Sequence, residues 1–248
     1  KIIGVTADNL GDHPGTICFI NPKNQYYDLK DRWLKEQLKT GLRIKLLYIE
    51  GEKNPRGFIE YVPGESCWRP VSAKGYMFIH CIWTNGKKYQ HQGLGRLLVN
   101  EVEKDAAGMN GVAVMTSEGP FMANKNIFLK NGYSVAAESG KDQLLYKPFR
   151  KAPLPAFLVN ELLPQNNEGL IMAYSRQCPW VARFIEEVNP VLKRENMNPC
   201  IIEINTPEEA QKAPMPYGVF NLIYNGKILA DRYISLTRFE NIIKKEIR

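Results

Sequence analysis

Tyr76-Met-Phe-Ile-His-Cys-Ile-Trp83 leads through Thr84-Asn-Gly-Lys-Lys88 into Gln90-His-Gln-Gly-Leu-Gly-Arg96, and the rest of the chain is organised around these three pieces. The first is rich in aromatic and β-branched residues, which suits a buried strand. The second is polar and turn-like. The third opens a helix in which Leu94, Leu97, Leu98 and Val102 recur at helical spacing on one face. Glu101, Glu103, Lys104 and Asp105 take the wet side, and Gly108 stands where a C-terminal cap is expected.

Two glycines between a strand and a helix have a physical use. Without Cβ atoms, Gly93 and Gly95 let a ligand come close to backbone N–H groups. A helix start has unpaired donors and the positive end of the dipole, so it accepts phosphate. Arg96, Lys87 and Lys88 add full charge at the same end. A dinucleotide fingerprint is excluded, because the third glycine position is Leu98. A P-loop is excluded too, since no Gly-Lys-Ser/Thr triplet leads into the helix. The functional reading is a pyrophosphate site; a purely structural strand–turn–helix is the competing one.

Working outward, Lys1–Thr6 reads as a strand, Asp28–Lys39 as a helix, and Arg43–Glu50 with Gly57–Val62 as a hairpin. After the central helix, Gly111–Ser117 is a buried strand and Pro120 to Asn131 a helix with Gly132 as its cap. Val135–Glu138 and Gln143–Lys147 pair as a further hairpin. Pro148 to Gly169 holds four prolines and marks a boundary. Beyond it, Leu170–Tyr174 is a strand, 181–196 one helix and Cys200–Asn205 a strand. Asn225-Gly226 turns a hairpin of Val219–Tyr224 with Ile228–Tyr233, and Leu236–Glu246 closes as a helix.

The pattern from Gln90 to Gly95 resembles the central motif of the GNAT superfamily of acyl-CoA N-acyltransferases, Arg/Gln-x-x-Gly-x-Gly/Ala between a strand and a helix. The element order over 1–150 and the segment Phe128-Leu-Lys-Asn-Gly-Tyr133 resemble that family as well. The combination of Ile59-Glu-Tyr-Val-Pro-Gly64, Trp68-Arg-Pro70, Ile79-His-Cys-Ile-Trp83 and Gly111-Val-Ala-Val114 is similar to the YoaP-like subgroup. Residues 168–248 are similar to thioredoxin-like proteins, in Cys178-Pro-Trp-Val181 at a strand-to-helix turn and in Met215-Pro216 before the hairpin. The fold expected is α/β with a mixed sheet: a GNAT domain over 1–150, a linker over 151–167 and a smaller thioredoxin-like domain over 168–248.

The resemblance implies acetyl-CoA as donor and a small-molecule or peptide amine as acceptor. Backbone groups of Cys81, Ile82 and Trp83 would meet the pantetheine arm. Amides of His91, Gln92, Gly93, Leu94, Gly95 and Arg96 would hold the pyrophosphate. The family's usual tyrosine acid is replaced by Phe128, and the asparagine seven residues earlier by Phe121. The base that takes the amine's proton is assigned to His80 or Glu60; an unperturbed histidine near pKa ~6.5 suits the task. The competing reading for His80 is a hydrogen-bonded core residue. Glu65, Trp68 and Arg69 precede the central strand, with packing the better role for Trp68 and a solvated surface for Arg69. Cys81 reads as core.

Composition bounds the alternatives. Of 248 residues, 44% are hydrophobic and 24% charged, which suits a globular chain. No apolar run approaches the ~20 residues of a membrane span. No signal peptide is visible, although the chain starts at Lys1 without a Met, and a cytoplasmic protein is expected. Five scattered cysteines and three histidines build no metal cluster by spacing and read as free thiols. Net charge is +7, concentrated in 1–150, where 21 Lys+Arg oppose 15 Asp+Glu. That excess and a pI near 9.1 motivate a nucleic-acid binder, but no basic run or aromatic-basic face supports one. The other alternative is a monothiol redox or adaptor protein centred on Cys178, whose helix-start position lowers a thiol pKa. Val181 stands where a second cysteine would be needed.

Overall fold

A computed structural model of the protein describes residues 1–13, 20–89, 92–118, 122–160 and 168–247. They form two units: Lys1–Asn24, Leu34–Cys67 and Val71–Phe157 make the first, and Gln25–Trp33, Trp68–Pro70 and Leu158–Arg248 the second.

The first unit is built on a seven-stranded sheet. Its strands are β1 (Ile2–Val5), β2 (Arg43–Leu47), β3 (Gly57–Pro63), β5 (Tyr76–Thr84), β6 (Gly111–Ser117), β8 (Asp142–Pro148) and β7 (Ser134–Ser139), in that spatial order. A two-residue strand β4 (Val71–Ser72) pairs with β9 (Ala156–Phe157). Neighbours in the large sheet run antiparallel, except that β5 and β6 are parallel. The mixed α/β sheet is the one expected. A parallel pair needs a crossover, and α2 (Leu94–Asp105) supplies it.

Packing fixes α2 on the sheet. Leu98, Val99 and Val102 are fully buried against Ile59, Tyr61 and Ile79. Each such side chain contributes about 1.5–3 kcal/mol of burial. Leu97, expected on that face, is 45% exposed, so the apolar stripe runs through Val99 instead. The helix ends at Ala106, two residues before Gly108. The helix expected from Pro120 is shorter: α3 spans Lys125–Leu129, its start fixed by the Asn124 side chain accepting from the Asn126 amide. That capping bond satisfies one of the orphan donors of the first turn.

In the second unit a four-stranded sheet has the order β11 (Cys200–Glu203), β10 (Leu170–Tyr174), β12 (Phe220–Tyr224), β13 (Lys227–Ala230). β10 and β11 are parallel; the other pairs are antiparallel. Asn225 and Gly226 both have positive φ, as the tight turn between β12 and β13 demands. Phe184, Phe220 and Phe239 meet edge to face at 5.6 and 5.7 Å in its core. The single helix expected over 181–196 is two, α4 (Pro179–Glu187) and α5 (Asn189–Arg194). Pro190 has no N–H to continue the ladder, so the chain breaks at Val188. A short helix α6 (Pro207–Gln211), capped by Thr206, was not foreseen, and α7 (Leu236–Ile242) ends in a wider π turn over Ile243–Ile247.

Candidate functional site

β5 and β6 stay paired only from Tyr76–Ile79 to Gly111–Val114. Past that point β5 follows β3 to Thr84, while β6 follows β8 to Ser117. The two parallel strands therefore part, and the main chain of β5 beyond Ile79 has one side turned away from any ladder among the described residues.

α2 starts opposite this fork. Gly93 is its N-cap, with φ +75°, a left-handed conformation that glycine takes without a Cβ penalty. Gly93 has no side chain to cap the first turn, so the amides following it keep donors for a ligand. The third wall is α3. Together they enclose a cleft of about 750 Å³, a usual size for a small-molecule site. Ile82, Trp83 and Thr84 line it from β5, Gly93 to Arg96 from α2, and Asn124, Ile127 and Lys130 from the α3 side.

The expected cofactor residues converge here in part. Ile82, Trp83, Gly93, Leu94, Gly95 and Arg96 all line the cleft. Gln92 lies just before it and donates through Nε2 to the Lys88 carbonyl at 2.7 Å. Cys81 is half-buried and pairs opposite Glu60, so alternation along β5 turns its side chain away from Ile82. His91 and Phe121 fall outside the described residues. Tyr89, Asn124, Lys130 and Asn131 also line the cleft and were missed. Tyr89 falls between the stretch read as a polar turn and the glycine motif, and the others flank the two ends of α3, whose facing partner no spacing rule reveals.

His80 owes its position to a β-bulge. Glu60 pairs with Cys81 but Tyr61 pairs with Ile79, so His80 is the extra residue on β5. A bulge re-aims side chains and locally twists the strand. It leaves His80 on the Phe78 and Glu60 side of the sheet: its ring meets Phe78 edge-on at 5.8 Å, and its Nδ1 lies 3.6 Å from the Glu60 carboxylate. Both side chains are withdrawn from solvent, at 0% and 5% exposure. At that spacing the two are close enough for an ion pair when the imidazole is protonated.

Other candidates take structural places. Phe128 is fully buried and packs edge-on against Tyr133 at 5.4 Å. The Glu65 carboxylate accepts from the Gly75 amide at 2.8 Å. Trp68 is buried against Trp33 at 5.2 Å, as a packing role requires. Arg69 is not a solvated residue: it is 5% exposed, donates to the Trp68 carbonyl and the Gln177 side chain, and lies over the Tyr217 ring. Cys178 is the N-cap of α4. Burial pushes its thiol pKa up; the amides of Val181 and Trp180 and the charges of Lys30 and Arg69 oppose this more weakly. Among the described residues no cluster could hold a metal ion, and no helix is long and apolar enough to cross a membrane.

Residues 16–133 match the model of the Acetyltransferase (GNAT) family, and 200–241 match the YoaP-like family. The uncharacterized N-acetyltransferase YoaP of Bacillus subtilis (strain 168) is 28% identical over 251 residues, covering 97% of each chain. Among solved structures, a GNAT-family acetyltransferase from Staphylococcus aureus Mu50 is 16% identical with a TM-score of 0.44, covering 60% of this chain and 99% of that one. The PaiA N-acetyltransferase of Thermoplasma acidophilum, crystallised with coenzyme A, is 16% identical with a TM-score of 0.39, covering 60% and 99%. Residues 16–133 are thus similar to GNAT acetyltransferases, and N-acetyltransferase is the enzyme class these matches support.

Proposed function

We propose that the protein moves an acetyl group from acetyl-CoA to the amine of a small molecule or peptide, with the cleft between β5, α2 and α3 as the donor site. One observation carries the reading: the fork between β5 and β6 opens toward a helix start whose N-cap, Gly93, has no capping side chain. An elongated ligand with phosphates at one end and an amide-bearing arm suits both parts. The amides of Leu94, Gly95 and Arg96 hold the phosphates, and main-chain groups of Cys81 to Trp83 orient the arm. Bound acetyl-CoA supplies an acyl group already activated as a thioester.

The chain's own contribution is positioning and proton handling. Main-chain donors of β5 stabilise charge developing on the acyl oxygen. The buried His80–Glu60 pair accepts the amine's proton, with Glu60 stabilising the imidazolium that forms. With Phe128 in the core, no phenol stands at the family's acid position, and a thiol of pKa ~8.5 leaves adequately without one near neutral pH.

For the second unit we propose a thioredoxin-like fold. The strand order β11-β10-β12-β13 with one parallel pair and helices after β10 and β13 supports it. The raised thiol of Cys178 and Val181 in place of a second cysteine argue against a redox role. Isothermal titration with acetyl-CoA, followed by an amine panel read as thiol release, tests the donor reading. Folded protein that gives no heat at millimolar acetyl-CoA would refute it.

A further inference from the structure

Glu52 lies in the turn between β2 and β3, outside every motif described above, yet it reaches the rim of the cleft. Its carboxylate accepts hydrogen bonds from Arg56, from the Tyr89 hydroxyl and, at 2.9 Å, from Lys88 Nζ. Tyr89 is one of the cleft's lining residues. Its ring lies close to Gly86, whose φ is +100° and where an added Cβ would meet the ring at 3.0 Å. Arg56 and Lys88 lie over the same ring at 5.8 and 4.7 Å. Gln92, which directly precedes Gly93, donates to the Lys88 carbonyl. At the other end of this segment the Asn85 amide donates to the Arg56 carbonyl at 2.7 Å.

The contributions are unequal. Lys88 is 69% exposed, so its ion pair is worth little. The carboxylate itself is 18% exposed and Arg56 28%, which leaves Arg56–Glu52–Tyr89 as the firm part. Arg56, then Tyr89 and Lys88, hold the Glu52 carboxyl down to about 2, so it stays ionised throughout the neutral range.

We propose that Glu52 is a positioning residue for the nucleotide end of the cofactor: it clamps Tyr89 as a wall of the cleft and so sets the segment that enters the phosphate-binding turn. This rests on the acetyl-CoA reading of the cleft. It has a competitor with the opposite sign. If Glu52 merely neutralised Arg56 and Lys88, removing its charge would strengthen the pull on a polyanionic ligand. If it positions, removing it weakens binding despite the added positive charge.

The test uses wild type, Glu52→Gln, Tyr89→Phe, the double variant, and Glu36→Gln as a control for loss of one surface carboxylate. CoA is titrated calorimetrically well below the melting midpoint of the weakest variant, and pantetheine, which lacks the nucleotide, is measured by competition against a fluorescent CoA. Amide hydrogen exchange at Leu94 to Arg96 is followed without ligand. Glu52→Gln and Tyr89→Phe should each weaken CoA about tenfold, as loss of one charge-assisted hydrogen bond does. Pantetheine should stay within about twofold. The double variant should be no weaker than Glu52→Gln, and exchange at the helix start should quicken. Tyr89→Phe changes no charge, so its loss separates clamping from neutralisation. CoA bound as tightly or more tightly by Glu52→Gln overturns the proposal, as does an equal loss of pantetheine, which would indicate general loosening. Folded wild type that binds neither probe overturns the cofactor reading itself, and the proposal with it.

Discussion

The terminal methyl of Ile127 on α3 fills the space where a Cβ on Gly95, in the first turn of α2, would stand. The second glycine of the motif therefore serves packing between the two helices that wall the cleft. Gly93 differs: a Cβ there would meet nothing within 4 Å, and what it supplies is its positive φ. Two glycines that look equivalent in sequence answer to different forces.

Gly95→Ala should destabilise the protein by about 1–3 kcal/mol, the usual cost of overpacking. Ile127→Val removes the obstructing methyl and leaves the next atom at an ordinary 3.5 Å. Alone it should cost about 0.5–1.5 kcal/mol, yet combined with Gly95→Ala it should recover stability. Urea midpoints for the four proteins decide this. Additive losses would show that the collision is relieved elsewhere.

This pair also shows where sequence reasoning stops. The strand–turn–helix was readable because β5 is apolar throughout and α2 has a helical period, and both are local signals. The same period put Leu97 inside and left out Val99, because a stripe cannot show which of two flanking residues a curved sheet covers. The bulge at His80 had no signature at all: it exists only in the register between β3 and β5. Arg69 read as surface because its burial depends on Gln177 and Tyr217, more than a hundred residues away. Contacts of that range are set by topology, not by local pattern.

Tyr61, fully buried on β3, donates to Asp105 at the end of α2 at 2.5 Å, and Lys45 meets the same carboxylate at 3.3 Å. Burial, then this carboxylate, pushes the phenol pKa upward, so it remains a donor at any working pH. Tyr61→Phe should cost about 2 kcal/mol, as a hydrogen bond to a charged group does, and leave CoA affinity unchanged. A fall in affinity would mean that α2 shifts when this tie is cut.

Phe128, expected from the sequence at the acid position of GNAT enzymes, lies in the core beside Tyr133. Phe128→Ala should cost about 3–5 kcal/mol through the cavity it leaves, while Phe128→Leu should cost about 1.5 kcal/mol or less. Turnover of the leucine variant should stay within about tenfold of wild type. A loss of several orders of magnitude with folding intact would give the ring a chemical role that packing does not explain.

The His80–Glu60 pair makes a kinetic prediction. His80→Gln and Glu60→Gln should each lower acyl transfer by about 10²–10⁴ while CoA affinity holds, the range for a positioned general base. The double variant should be little worse than either single one, since residues acting as a unit are not additive. Full activity in both single variants would return His80 to the status of a core histidine.

Cys178 tests the second unit, and there two forces oppose. As N-cap of α4 it faces aligned backbone dipoles that favour a thiolate. Burial disfavours the charge and outweighs them, leaving the thiol pKa raised. The folded value then lies above the unfolded one, so the neutral thiol contributes stability below about pH 8.5 that is lost as pH rises through that value toward the folded one. Mass-spectrometric labelling with iodoacetamide at neutral pH should therefore modify exposed Cys200 faster than Cys178, and Cys178→Ser should leave acyl transfer unchanged under reducing and oxidising conditions alike. A Cys178 that reacts first would show that the helix start and the nearby Lys30 and Arg69 charges prevail over burial, and would reopen thiol chemistry at that turn.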